Sequence, residues 1–446
     1  MIKKYGKAIL SVTMVIALAV LSTSCGTKLP EAGDYTEVDS ASGSAADADK
    51  TDAGSVRKNS MSRYACCNDT NLYTCKDGKI QQCRLDGTVI REYEDNHTRK
   101  TWRGFSIEYV TNEEIFCFEY TSAGDGNCTW CIPIDKRADG DCLRLDKAKE
   151  ILPTGCMSII YADENCIAYL NYLWRYTEYD RKKDKVLEFE QYTGIRQYIK
   201  SYEHVWGKAV GDTVLLAKKG SGKWEDGTQG IYAHKVGTKA EADTLIDDLY
   251  VPGDSFMCMS NTEKQAFYSG GWRKNAKGVY DAQTADEDSD IWMYDTEKKE
   301  KQRFITGKEI RKYCSKKDNV IEGLFIEGDK LYIWLSESDS DFMEDDSHLV
   351  LSRDLSGKTE VKCEKKLSKF LNTLNYYKEH GVVYELDEQS VDFVAGKVIA
   401  LCFDEADDDR SGRCYKCYDL SDGTSKEVKE GDAEAVYWCY LNGFFM

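Results

Sequence analysis

The sequence predicts an all-β fold, a β-propeller built from four-stranded antiparallel blades. From Met61 onward, short aromatic or β-branched runs alternate with Gly, Asp and Asn turns, and no long helical pattern interrupts them. One strand–turn–strand unit of this kind recurs along the chain. A four-stranded sheet cannot bury either of its faces alone, whereas sheets stacked around an axis bury both faces and leave only short edges.

The recurring unit can be counted by an aspartate near the end of its third strand. These marker aspartates are Asp86, Asp135, Asp180, Asp295, Asp354 and Asp419, and Gly237 takes the equivalent place in the fourth copy. Neighbouring aspartates lie 45 residues apart at the shortest (135 to 180) and 65 residues apart between 354 and 419. One four-stranded sheet with its loops fits such a spacing, so we predict seven blades, with six or eight as alternatives.

Two segments do not follow the repeat. Residues 366–386 fit no copy and are consistent with a helix, an extra hairpin or a degenerate eighth blade. The chain ends in an aromatic segment, residues 437–446, around an Asn-Gly turn signal. We expect this segment to dock beside an N-terminal strand at 63–68 and so close the ring.

The N-terminus carries the pattern of a secretory signal over residues 1–24. A lysine-rich start precedes an apolar run at 8–20 that is too short to span a bilayer. The following Leu-Ser-Thr-Ser-Cys-Gly resembles the lipobox of bacterial lipoproteins, and this resemblance implies that Cys25 is diacylated and bound to membrane lipid. An ordinary cleaved signal is the alternative. Residues 25–60, rich in small and polar residues, are interpreted as the lipidated cysteine and a flexible stalk, which leaves 61–446 as the propeller domain.

A second resemblance rests on two sets of motifs. Residues 71–88 contain the series Asn-x-Leu-Tyr, Gly-Lys-Ile and Leu-Asp-Gly-Thr, and Tyr-Asp pairs end predicted strands at 180, 295 and 419. They are similar to the propellers of the low-density-lipoprotein-receptor (YWTD) type in bacterial lipoproteins. No Tyr-Trp-Thr-Asp tetrapeptide occurs in the chain. The resemblance implies an extracytoplasmic binding or scaffolding module at the bacterial cell membrane, with no defined activity.

Composition limits the possible partners and chemistry. A formal net charge of −18 argues against nucleic acid, whose recognition needs clustered Lys and Arg. Only 5 histidines occur, and no Walker, dinucleotide or Ser-His-Asp motif is present, so no catalytic residue is assigned. We therefore expect a non-enzymatic, monomeric binding module for a protein or glycan ligand. The alternative is a carbohydrate hydrolase or lyase that uses carboxylates in the propeller funnel.

The cysteines are the first group of candidate site residues. Two Cys-x-x-Cys motifs end at Cys131 and Cys417, but both lie on predicted strands, where residues i and i+3 face opposite sides, so we assign no zinc site. A two-residue turn at 77–78 would place Cys75 opposite Ile80 rather than opposite Cys83. Most cysteines are accordingly expected to be small buried hydrophobes, although their pairing stays open.

Acidic loops and exposed tryptophans complete the candidate sites. Acidic runs between the second and third strands of the last copies share one rim, and carboxylates suit Ca²⁺; the candidates are Asp339, Asp341, Asp345, Asp404, Asp407 and Asp408. Solvated loops are the default reading, so we predict no cofactor and keep calcium as the alternative. Trp224, Trp272 and Arg273 are the candidate ligand-binding residues, because Trp beside Arg is a frequent binding hot spot, and packing between blades is the competing role.

Overall fold

The computed structural model describes residues 36–38, 65–68, 70–76, 79–84, 88–94, 102–121, 127–137, 140–152, 156–171, 173, 175–199, 202–206, 208–222, 225–252, 257–281, 290–316, 318–338, 347–374, 384–394, 396–404 and 413–428. Strands dominate this part of the chain, and every strand pair in it is antiparallel. The expected all-β class is therefore confirmed. Among the described helices, none is both long and apolar enough to cross a membrane.

The strands form successive sheets, which we number along the chain. Sheet 1 contains Ala65–Cys67, Leu72–Lys76, Lys79–Cys83 and Val89–Glu94, with Thr36–Val38 at its outer edge. Sheet 2 contains Trp102–Val110, Glu114–Thr121, Asn127–Arg137 and Lys149–Leu152, with Gly140–Leu143 paired to the end of its third strand. Sheet 3 contains Cys156–Ala162, Cys166–Asn171, Arg175–Asp180 and Lys185–Thr193. Sheet 4 contains Lys208–Val210, Thr213–Lys219, Thr228–Lys235 and Thr244–Val251, and the strands Trp272–Lys274 and Tyr280–Asp281 extend its outer edge.

The remaining sheets each have four strands. Sheet 5 contains Cys258–Asn261, Gln265–Ser269, Ile291–Asp295 and Glu300–Ile305. Sheet 6 contains Asp318–Glu327, Lys330–Ser338, Ser347–Asp354 and Lys362–Cys363, and sheet 7 contains Tyr384–Val394, Lys397–Asp404, Arg413–Asp419 and Ser425–Val428. Strands Ile195–Ile199 and Tyr202–Trp206 form a separate hairpin, and short helical segments lie at Leu145–Lys147, Ala240–Ala242, Gly307–Arg311 and Lys365–Leu374.

Sheets 3 and 4 are not fully separate. Tyr192 and Thr193, at the end of sheet 3, pair with Lys218 and Ala217 of sheet 4, so the two sheets join into one ten-stranded ladder. The strand Thr36–Val38 is a second departure, because it lies in the segment interpreted as a stalk and pairs with Val89–Glu94. The signal segment, Cys25 and the ring-closing segment 437–446 lie outside the described residues.

Three marker aspartates have an identifiable structural role. Asp180, Asp295 and Asp419 each end the third strand of a sheet. The Oδ1 atom of Asp295 accepts hydrogen bonds from the backbone amides of residues 297 and 298, and Asp180 does the same for residues 182 and 183. These bonds favour the charged form and lower the pKa of the Asp295 carboxyl. The aspartate recurs because it fixes the turn into the fourth strand.

Apolar side chains pack between consecutive sheets. Within the described residues six clusters are found, and they join sheets 1–2, 2–3, 3–4, 4–5, 5–6 and 6–7 in order. The second strand of sheet 2 contributes side chains to two clusters. Ile115 and Cys117 pack toward sheet 1, while Phe116 and Phe118 pack toward sheet 3. Successive side chains on a strand face opposite sides. A continuous apolar run in these strands therefore buries both faces of the sheet.

The segment that fitted no copy contains a helix over Lys365–Leu374. Leu367, Phe370, Leu371 and Leu374 enter the cluster between sheets 6 and 7. The side chain of Asn372 accepts from the backbone N–H of His348 at 2.7 Å and donates to its carbonyl at 2.7 Å. The helix thereby covers the edge of sheet 6 where the fourth strand, Lys362–Cys363, is too short to pair with it.

The predicted register of Cys75 and Cys83 is confirmed. Cys75 pairs in register with Ile80, and Cys83 pairs with Leu72. Eleven described cysteines are thiols that form no disulfide: Cys75, Cys83, Cys117, Cys131, Cys142, Cys156, Cys166, Cys258, Cys314, Cys363 and Cys417. Burial raises the pKa of Cys75 and Cys258 to about 12, because the thiolate loses its hydration. These thiols are consequently protonated at neutral pH.

We predict that these eleven thiols react slowly with a thiol-specific reagent in the native protein at about pH 8, because the thiolate is the reactive form. After unfolding in guanidinium without reductant, they should titrate fully. Counting the thiols by absorbance before and after unfolding tests this. A further rise in the thiol count when reductant is added to the unfolded protein would show disulfides among the 18 cysteines of the chain and would contradict the expectation.

Candidate functional site

Most of the candidate calcium ligands and one tryptophan cannot be placed. Trp224, Asp339, Asp341, Asp345, Asp407 and Asp408 lie outside the described residues, and Asp404 is described only as the last residue of the strand Lys397–Asp404. No group of three or more potential metal ligands occurs in the described part of the chain. The calcium hypothesis therefore stays a prediction.

Trp272 and Arg273 are placed by the structure, but it separates them. They are consecutive residues of the strand Trp272–Lys274, which pairs with Tyr250 and Leu249 of sheet 4. Consecutive side chains point to opposite faces of a strand. The two residues therefore belong to different clusters on the two faces of this extension.

On the first face, Trp272 joins an aromatic group. Its ring packs edge-on against Tyr250 with 5.8 Å between centroids, and Tyr250 lies 5.9 Å from Tyr280. The Tyr280 hydroxyl donates to Asp248 at 2.5 Å, and Lys274 forms an ion pair with the same carboxylate at 2.7 Å. Trp272 is half-buried over this group, whereas the two tyrosines are buried.

On the second face, Arg273 joins a group that we call the cation–tryptophan cluster: Arg273, Lys301 and Arg303 around the ring of Trp292. Arg273 lies 5.0 Å from the ring centroid, Lys301 4.4 Å and Arg303 5.1 Å. Each distance falls within the range of a cation–π interaction. Three positive side chains thus surround one indole in a protein of net charge −18.

Strand register produces this cluster. Trp292 pairs directly with Arg303, and Tyr294 pairs with Lys301 on the fourth strand of sheet 5. Residues 301 and 303 are two apart and share the face of Trp292. Arg273 reaches the same ring from the extension of sheet 4, so the cluster lies where sheets 4 and 5 meet.

Two buried carboxylates hold the cations in place. Asp247, 4% exposed, accepts from Arg273 at 3.0 Å, from Lys301 at 2.8 Å and from the Tyr268 hydroxyl at 3.1 Å. Asp290 forms an ion pair with Arg303, with 3.0 Å between Oδ2 of Asp290 and Nε of Arg303. Among the described residues, three cations of this cluster face two carboxylates, which leaves one net positive charge.

Sequence reasoning found Arg273 but missed Lys301, Arg303 and Trp292. The alternation Lys-x-Arg opposite an Ile-Trp-Met-Tyr strand was visible as a hairpin pattern. These residues form a cluster only because Arg273 of sheet 4 packs against sheet 5, and no local sequence pattern predicts this contact. The two orphan donors in the cluster, Nε of Arg273 and Nε1 of Trp292, are buried and have no hydrogen-bond partner among the described residues.

A second polar group joins sheets 3 and 4 and is fully buried. His234 lies between Glu178, 2.9 Å from its Nε2, and Asp243, 2.7 Å from its Nδ1. Glu178 also accepts from the Tyr176 hydroxyl and from the backbone N–H of Gly237. None of the three central side chains is more than 3% exposed, so this group acts as a bridge between sheets and not as a binding surface.

The two carboxylates control the charge of His234. Burial alone would lower the pKa of the imidazole, but the hydrogen bonds with Glu178 and Asp243 outweigh it and raise the pKa above its ordinary value. The protonated ring is the form that binds both carboxylates. Its stabilising contribution is complete below the ordinary pKa of about 6.5 and is lost as the pH rises through the raised value.

We predict that His234→Gln lowers the free energy of unfolding by about 3 kcal/mol at pH 6, because two buried carboxylates lose their cation. The difference between variant and wild type should shrink as the pH rises through the raised pKa of His234. Thermal unfolding from pH 5.5 to pH 9 measures this. Glu178→Gln serves as the matched variant and should move the pH dependence downward, whereas a difference that is constant with pH would contradict a charged bridge.

Comparison with known proteins yields likenesses of structure only. No protein family and no curated protein matches the chain. An uncharacterized protein from Listeria monocytogenes EGD-e has a similar structure, with 10% identity, coverage of 85% of this chain and 96% of that one, and a TM-score of 0.37. The WD40 domain of SCAP from fission yeast matches with 10% identity, 83% and 77% coverage and a TM-score of 0.29.

The tricorn protease matches 82% of this chain at 11% identity with a TM-score of 0.34, but this chain spans only 39% of that protein. These likenesses concern the course of the backbone. The description of the sheets rests on their own pairings and packing.

Proposed function

We propose that this protein is a lipid-anchored extracytoplasmic binding module, non-enzymatic, in which a seven-bladed β-propeller presents a ligand site for a protein or glycan. The packing of each sheet against the next supports the propeller, since this is how a sheet with two apolar faces is buried. The first strands of sheets 1 and 2, 2 and 3, 5 and 6, and 6 and 7 lie side by side, as they would around an axis. Ring closure would place sheet 7 beside sheet 1.

The anchor in this proposal is Cys25, supported by the signal pattern and the lipobox-like residues before it. We predict that Cys25→Ala moves the protein from the membrane fraction to the medium, because the acyl chains supply the hydrophobic attachment. Cell fractionation and immunoblotting measure the change, with Ser24→Ala as the control that keeps the cysteine. Unchanged membrane retention of Cys25→Ala would contradict the tether.

The ligand site in this proposal lies where the extension of sheet 4 meets sheet 5, around Arg273 and the ring of Trp292, while Trp272 lies on the opposite face of the same strand. The observation that carries it is the cation–tryptophan cluster, because Trp and Arg side chains that are partly exposed dominate binding sites.

We predict that the detergent-solubilised full-length protein binds a subset of a glycan array or an extracellular protein. Trp292→Ala and Arg273→Gln should each weaken binding about tenfold, which corresponds to about 1.4 kcal/mol. Val320→Ala, at an exposed position on sheet 6, is the control and should leave binding unchanged. Equal affinity for all three variants would contradict this site, and release of shortened glycans would favour the hydrolase or lyase alternative.

A further inference from the structure

We propose that the cation–tryptophan cluster binds the carboxylate of an acidic saccharide, which rests on the proposed binding function and narrows its ligand class. The cluster is a place where cations are concentrated, oriented and partly exposed. The side chain of Arg303 is 50% exposed, Lys301 28% and Arg273 16%. A ligand can therefore reach these side chains without unfolding either sheet.

The guanidinium groups have donors to spare. Arg303 contacts Asp290 through Nε in an ion pair, and its two terminal nitrogens have no hydrogen bond with the described residues. Arg273 binds Asp247 through a single terminal nitrogen. A planar guanidinium with free donors binds an oxyanion through two parallel hydrogen bonds, and a carboxylate matches this geometry.

The orphan donors indicate that the cluster lacks an acceptor. Buried N–H groups in proteins are nearly always hydrogen-bonded. Nε of Arg273 and Nε1 of Trp292 belong to the same cation–π contact, and neither has a partner in the described part of the chain. Both nitrogens are buried, so a ligand on the surface would contact the exposed side chains of Arg303 and Lys301 and not these two donors.

Charge selects among anionic ligands. The cluster has one net positive charge, while the whole protein carries −18. A polymer with dense charge, such as nucleic acid, is repelled by the remainder of the surface. A saccharide that carries one carboxylate per residue or per few residues places one negative charge at the cluster and presents neutral hydroxyls elsewhere.

The test uses a glucuronate-containing oligosaccharide, a neutral glucose oligosaccharide of the same length and inorganic phosphate, each titrated into the full-length detergent-solubilised protein by calorimetry. We expect the glucuronate oligosaccharide to bind, with an affinity that falls as salt increases. Arg303→Gln should weaken it at least tenfold. Arg303→Lys, which keeps the charge but loses the planar fork, should also weaken it, whereas Lys264→Gln, an exposed lysine on the neighbouring turn, should not.

Tryptophan emission gives a second readout. Binding should change the fluorescence of the wild-type protein, and Trp292→Phe should remove most of that change while preserving binding of the same order. Equal binding of the neutral oligosaccharide, or full affinity in Arg303→Gln, would overturn the acidic-saccharide assignment while leaving the proposed binding module in place. Phosphate that competes as well as glucuronate would overturn the saccharide part. An absence of any ligand in the wider screen would instead contradict the proposed function itself.

Discussion

Each sheet of this protein depends on its neighbours for burial. Within a sheet, hydrogen bonds between strands satisfy the backbone, but the apolar side chains project from both faces. The second strand of sheet 6 shows the consequence: Leu331, Ile333 and Leu335 pack toward sheet 5, while Tyr332 and Trp334 pack toward sheet 7. Removal of one sheet would therefore expose an apolar face on each neighbour, and stability is a property of the stack.

Polar bridges accompany the apolar clusters at the sheet junctions. They join Glu114 to Arg181 between sheets 2 and 3, Glu178 to His234 between sheets 3 and 4, Asp247 to Lys301 between sheets 4 and 5, the carbonyl of Phe304 to Arg353 between sheets 5 and 6, and Glu327 to the amide of Gly396 between sheets 6 and 7. Apolar contact alone tolerates sliding, because dispersion and burial have little direction. A buried ion pair or hydrogen bond has one good geometry, so these bridges would fix how each sheet is placed on the next.

The sequence predicts features that depend on neighbouring residues of the chain, but it does not predict contacts between different sheets. Alternating apolar runs and turn residues predicted the strands, and the turn at 77–78 predicted the register of Cys75 with Ile80. The helix Lys365–Leu374 stayed one of three alternatives, because its apolar face is defined by the edge of sheet 6 that it covers. No local pattern indicates the role of His234, because its partner Glu178 lies in another sheet. Trp272 and Arg273 were treated as one site, although adjacent strand residues face opposite sides.

The cation–tryptophan cluster shows how the same junction geometry can serve binding. Asp247 is 4% exposed and accepts from two cations, so its bonds with Arg273 and Lys301 offset the cost of burying its charge. Those bonds also hold the two cations against Trp292. They would therefore lower the entropic cost of ordering these side chains when a ligand binds. The side chain of Arg303 is 50% exposed, so it would be able to change its conformation when a ligand binds. In the proposed binding role, the structural bridge would supply the preorganised side of the cluster, and the exposed Arg303 would supply the side that contacts the ligand.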